Sequence, residues 1–99
     1  MKPDFAAHMA EDRRLVVLRV LLESAAYTAN EFILLEMVGR FGHVVSNDRL
    51  QADLDWLQEQ GLLTSEHVAA VRIVKLTARG ADVAQGRAIV TGVKRPRPE

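Results

Sequence analysis

The stretch from residue 46 to residue 76 constrains the fold more than any other part of the chain. Three leucines in its first half recur at the spacing of one helix face: Leu50, Leu54 and Leu57. Ser46 is suited to cap this helix, because its hydroxyl can accept a hydrogen bond from an unpaired amide of the first turn. Gly61 lies at the expected C-terminal end of this helix, where the chain often adopts a left-handed backbone conformation that glycine tolerates best. The pattern therefore predicts an amphipathic helix that begins at Ser46 and is stopped by Gly61.

Sequence typical of strands follows this helix directly. Residues 62–64 and 71–76 are rich in apolar and β-branched side chains, and the few residues between them suit a short hairpin. A further helix is predicted after the hairpin, with Thr77 as its N-cap and Gly86 at its end. Gly80 inside that helix costs about 1 kcal/mol relative to alanine, so we expect a close packing contact at this glycine.

Two helices are predicted before residue 46. The first runs from about Ala10 to Ala26, and the second is capped by Thr28 or Asn30. Residues 42–45 form a tight turn into the helix that begins at Ser46, and two helices joined in this way make a helix-turn-helix. The predicted order is helix, helix, helix, strand, strand, helix, an α+β fold that is mostly helical.

We divide the chain into three parts by these patterns. Residues 1–9 are predicted to be a flexible N-terminus, residues 10–88 a single domain, and residues 89–99 a basic C-terminal tail that contains prolines. A chain of 99 residues is long enough for one hydrophobic core but not for two.

The first predicted helix carries apolar side chains around its whole circumference. Val16, Val17 and Val20 lie outside the stripe formed by its leucines. Such a helix is normally covered on all sides, and a chain of this size has little material with which to cover it. Two interpretations stay open: the helix is central to a compact bundle, or these three valines form the interface of a homodimer.

Composition and charge exclude several classes of function. The chain has no cysteine, which excludes disulfides, thiolate metal sites and cysteine nucleophiles. No nucleophile–base pair, phosphate-binding glycine loop or metal-ligand spacing occurs, so we expect neither enzymatic activity nor a cofactor. With no apolar run of membrane-spanning length and no signal peptide, the chain is expected to be cytoplasmic.

Charge is distributed unevenly along the sequence. Residues 1–67 carry six Lys and Arg against eleven Asp and Glu, whereas residues 68–99 carry seven against two. The front of the chain is therefore acidic and the rear basic, a pattern that the net charge of zero hides.

Two phrases of the sequence resemble the winged-helix pattern of small prokaryotic regulators. These are Leu54-Asp-Trp-Leu-Gln-Glu-Gln-Gly-Leu-Leu and Leu76-Thr-Ala-Arg-Gly-Ala-Asp-Val-Ala-Gln-Gly. With the short length, the apolar first helix and the ending Gly92-Val-Lys-Arg-Pro, the chain is similar to a small, ArsR-like winged-helix protein of Mu-like phages and prophages. The resemblance implies a winged helix-turn-helix and a phage or prophage origin. The absence of cysteine and the wide separation of the three histidines depart from the metal-sensing members of the ArsR group.

In a winged helix that binds DNA, the third helix enters the major groove and the hairpin contacts phosphates. The side chains predicted to read base edges are Asn47, Arg49 and Gln51. Those predicted to contact phosphates are Arg72, Lys75, Arg79, Lys94, Arg95 and Arg97. Alternatively, Arg72 and Lys75 are only the solvent side of an alternating strand, and the tail only keeps the chain soluble.

Acidic residues on the third helix oppose this interpretation. Residues 30–60 carry a net charge of −4, which repels phosphate at the element that has to approach it. Two functions therefore remain. The sequence favours a homodimeric transcriptional regulator that binds double-stranded DNA, because DNA binding is common in this fold. The alternative is a protein-interaction module that keeps the fold without the DNA contacts. Trp56 is expected to pack on the second helix or under the hairpin, and His43 and His67 to be exposed loop residues.

Overall fold

The computed structural model describes residues 4–97, which form four α-helices and one three-stranded antiparallel sheet. In chain order the elements are α1 (Phe5–Glu23), β1 (Thr28–Asn30), α2 (Glu31–Arg40), α3 (Asn47–Glu59), β2 (Leu63–Val68), β3 (Val71–Leu76) and α4 (Ala78–Ala84), with a 3-10 turn (Ala25–Tyr27) between α1 and β1. The fold is α+β and mostly helical, as the sequence predicts. None of the helices described is long and apolar enough to cross a bilayer.

Helix α1 begins at Phe5, five residues earlier than the sequence predicts. Asp4 caps it, because its Oδ1 accepts a hydrogen bond from the backbone N–H of Ala7 at 3.1 Å. The prediction of a flexible N-terminus over residues 1–9 is therefore wrong for residues 5–9, which are helical. Residues 1–3 lie outside the described part of the chain.

Strand β1 was not predicted, because Thr28 and Asn30 were expected only as alternative caps of the second helix. Its three residues pair antiparallel with β3, and Ala29 lies opposite Val74. β3 is the central strand, with β1 on one side and β2 on the other. A three-residue strand has too little sequence to show an alternating pattern, so only its distant partner makes it recognisable.

The hydrophobic core lies between the four α-helices and the inner face of the sheet, and α2 contributes Leu34 and Val38 to it. The three leucines of the α3 pattern, Leu50, Leu54 and Leu57, have no exposed surface, which confirms the predicted inward face. From α1 the core takes Leu15, Val17, Leu18 and Leu21. Val17 is completely buried within the single chain, so its predicted place in a dimer interface is wrong. Val16 and Val20 are only partly buried.

The segment after α4 packs on the domain instead of forming a tail from residue 89. Val90 and Val93 are buried, and the carbonyl oxygen of Gly92 accepts a hydrogen bond from Arg14 Nη1 at 2.9 Å. A side chain at Gly92 would lie 2.7 Å from the Trp56 ring, so only glycine fits there. The packed domain therefore extends past the predicted boundary at residue 88 to at least Val93.

Trp56 lies at this junction. The guanidinium of Arg14 stacks over its ring, 4.2 Å from the centroid. The predicted packing of Trp56 on α2 or under the hairpin is therefore wrong: the ring packs between α1 and the C-terminal segment.

Candidate interaction surface on helix α3 and the hairpin

The exposed side of α3 is acidic along its length. Positions three or four apart return to the same side of a helix, and the positions opposite the buried leucines are Asp48, Ala52, Asp55 and Glu59. All four are exposed. We call this stripe the acidic face. It presents three carboxylates and no cation to solvent, on the element that winged-helix regulators insert into DNA.

Arg72 of β3 lies under α3 and not on the surface. Its side chain is 8% exposed. The guanidinium donates hydrogen bonds to four side chains: Gln51 at 2.9 Å, Asp55 at 2.9 Å, Ser65 at 3.0 Å and Gln58 at 3.4 Å. Arg72 therefore joins the hairpin to α3. The predicted phosphate contact of Arg72 is wrong in this fold, because all three guanidinium nitrogens already donate within the domain.

The alternation of side chains between the two faces of β3 explains the position of Arg72. Alternate residues of a strand point to opposite faces, so Arg72 lies on the same face as the buried residues Val74 and Leu76. Lys75 lies on the opposite, solvent-exposed face of the sheet. The sequence contains this signal, because position 75 follows position 72 by three residues. Residues an odd number of positions apart point to opposite faces of a regular strand, so Arg72 and Lys75 cannot both be on its solvent side.

Gln51, one of the three predicted base-reading residues, is also engaged within the domain. Its Nε2 donates to Glu31 Oε1 at 3.1 Å and to Asn47 Oδ1 at 3.2 Å, while its Oε1 accepts from Arg72. Asn47 is exposed but is tied to Gln51 by this bond. Arg49 is exposed on the flank of α3 and makes no ion pair among residues 4–97. Of the three, only Gln51 has both its donor and its acceptor group engaged within residues 4–97, whereas the Arg49 guanidinium and the Asn47 Nδ2 make no side-chain hydrogen bond there.

The remaining residues predicted to contact phosphates lie on α4 and in the C-terminal segment. Arg79 is exposed on α4, and Arg95 and Arg97 are exposed in the C-terminal segment. Lys94 pairs with Asp12 of α1 through a contact of 3.2 Å. These four cations lie on α4 and the C-terminal segment and not on α3 or the hairpin.

Replacing Arg72 tests its role as a joint between the hairpin and α3. We expect Arg72→Ala to lower the free energy of unfolding by about 2–3 kcal/mol, because it removes hydrogen bonds of a buried charged group. Urea denaturation followed by circular dichroism measures this change. The matched control is Lys75→Ala on the exposed side of the same strand, for which the change is within about 0.5 kcal/mol. Equal effects of the two substitutions would contradict the role given to Arg72.

A second polar cluster, missed by the sequence analysis, holds the turn between α2 and α3 against α1. His43 is 3% exposed, and its Nε2 lies 2.6 Å from Asp12 Oδ2. The prediction that His43 is an exposed loop residue is therefore wrong, whereas His67 is exposed as predicted. Asp12 also accepts a hydrogen bond from Lys94 Nζ at 3.2 Å. One carboxylate thus links α1 to the turn between α2 and α3 and to the C-terminal segment.

The pKa of Asp12 responds to these contacts. Burial alone raises it, but the hydrogen bonds from His43 and Lys94 outweigh burial, so the pKa of this carboxyl lies below its ordinary value of 3.8. A carboxyl with a lower pKa in the folded than in the unfolded state adds stability above its unfolded pKa. That stability is lost as the pH falls through the folded pKa.

We therefore expect Asp12→Asn to be less stable than the wild type at neutral pH and equally stable in strong acid. Denaturation curves for both proteins, measured from about pH 7 down to about pH 2, give the difference in unfolding free energy across the relevant range. If the difference in unfolding free energy stayed constant down to the lowest pH, Asp12 would stabilise the fold through the packing of its side chain and not through its negative charge.

Two relatives place the chain among known proteins. The protein gp26 of Escherichia phage Mu, described as uncharacterized, is 51% identical over 90 residues, which cover 91% of this chain and 93% of gp26. An uncharacterized protein of Haemophilus influenzae is 48% identical over 64 residues, 65% of this chain and 62% of that protein. No protein-family model matches the chain. The first relative is similar over nearly the whole of both chains, and the predicted Mu-like phage origin agrees with it. The chain belongs to the family of phage Mu gp26.

Proposed function

We propose that this chain is a winged-helix protein of Mu-like phages that works as a non-enzymatic protein-interaction module, with the acidic face of α3 as its contact surface. The order of elements supports the winged helix, because α2, a tight turn and α3 are followed directly by the β2–β3 hairpin, and β1 completes the sheet. The partner expected for this surface is a protein segment with Lys or Arg side chains.

The observation that carries the proposal is the charge of the exposed side of α3. Asp48, Asp55 and Glu59 line it, and a DNA phosphate approaching this helix meets repulsion instead of counterion release. Arg72 lies beneath α3 and pairs with Asp55 at 2.9 Å, which offsets one of the three charges, whereas Asp48 and Glu59 make no ion pair among residues 4–97. The same carboxylates favour a cationic protein partner, since opposite charges steer association and select the partner.

The first experiment measures whether the acidic face prevents DNA binding. Fluorescence anisotropy of a labelled random-sequence duplex is recorded with the wild type and with the double variant Asp48→Lys, Glu59→Lys, at low and at physiological salt. We expect no binding by the wild type, and weak, salt-dependent binding by the variant. Salt-sensitive binding by the wild type would overturn the proposal.

The second experiment identifies the partner surface. Proteins from phage-producing cells are captured on the wild type, on Asp48→Asn with Glu59→Gln, and on a control variant, Glu36→Gln with Asp82→Asn, that removes two exposed carboxylates elsewhere. A specific partner is expected to be retained by the wild type and the control and lost by the acidic-face variant. Equal capture by all three proteins would mean that the acidic face is not the contact.

DNA binding, with a role in transcriptional regulation, is the second candidate, and one specific observation favours it. Arg79, Arg87, Arg95 and Arg97 are all exposed, on α4 and the segment after it. In this alternative, these side chains hold the phosphate backbone while α3 contributes Arg49 at most. Neutralising Arg95 and Arg97 then reduces both the affinity for the random duplex and its dependence on salt, whereas Arg49→Ala has a smaller effect.

A further inference from the structure

We draw no further inference here: the strongest candidate, the apolar groove between α1 and α2 that is lined by Val16, Ile33 and Phe41 among others, is an unpartnered face, and nothing in the structure shows what covers it.

Discussion

Gly80→Ala is expected to lower the free energy of unfolding by about 3 kcal/mol or more, although alanine is the better helix former by about 1 kcal/mol. A Cβ atom at residue 80 would lie 2.0 Å from the carbonyl oxygen of Leu62 and 2.6 Å from Leu76 Cδ1. The oxygen belongs to backbone that also accepts the N–H of Thr77 at 3.1 Å, so it cannot move without breaking the junction between α3, the hairpin and α4. This is the close packing contact that the sequence analysis predicts at Gly80.

Thermal unfolding followed by circular dichroism measures this effect. A loss of about 3 kcal/mol lowers the Tm of a domain of this size by at least about 10 °C. Gly39→Ala is the matched control: Gly39 lies inside α2, and a Cβ there has no atom within 4 Å. That substitution is expected to raise stability by up to about 1 kcal/mol. If both substitutions stabilised the protein, the close packing of Gly80 in α4 against the Leu62 carbonyl would be contradicted.

The second large effect is expected at the buried ion pair between α1 and α3. Arg13 Nε donates to Asp53 Oδ2, and Arg13 Nη2 donates to Asp53 Oδ1 at 3.1 Å. The two side chains are 8% and 3% exposed. Asp53→Ala leaves the guanidinium of Arg13 buried without its partner, so we expect a loss of about 3–5 kcal/mol in the free energy of unfolding.

Two further variants separate the ion pair from simple loss of packing. Glu59→Ala, at an exposed position of the same helix, changes stability by no more than about 0.5 kcal/mol. The double replacement Arg13→Met with Asp53→Leu removes both charges and recovers most of the lost stability, because an apolar pair has no desolvation cost. Urea denaturation of the four proteins gives the comparison. If the double variant were as unstable as Asp53→Ala, lost packing and not the unpaired charge of Arg13 would cause the decrease in unfolding free energy.

Features that depend on neighbouring residues can be predicted from the sequence. The caps are an example: Ser46 accepts from Arg49 N, Asn30 from Ile33 N and Thr77 from Gly80 N, as predicted. A cap and the turn it stabilises are within four residues of each other, so local sequence contains the whole interaction. The leucines of α3 point inward for the same reason, since helical spacing alone assigns them to one face.

The candidate site was predicted less well, because charge in a sequence does not show which charges meet. Arg72 was predicted to face DNA, yet it bonds Gln51, 21 residues away, and Asp55, 17 residues away. The sequence predicts an exposed turn residue at His43, yet its side chain lies against Asp12, 31 residues away. Both errors concern polar groups whose partners are distant in sequence, and burial of such groups is favourable only once those partners are in place.

The sequence by itself determined the helices, their caps, the hairpin and the inward face of α3, because these follow from local geometry and from periodicity. Only the tertiary structure decided that β1 is a strand, since three residues gain their hydrogen bonds from β3 more than 40 positions later. It also decided that Arg72 and Gln51 bond each other under α3 and that the acidic face remains exposed. The physical reason is that burying a polar side chain is favourable only when its hydrogen-bond partner is buried with it. The two partners are far apart in the sequence, so only the folded chain brings them together.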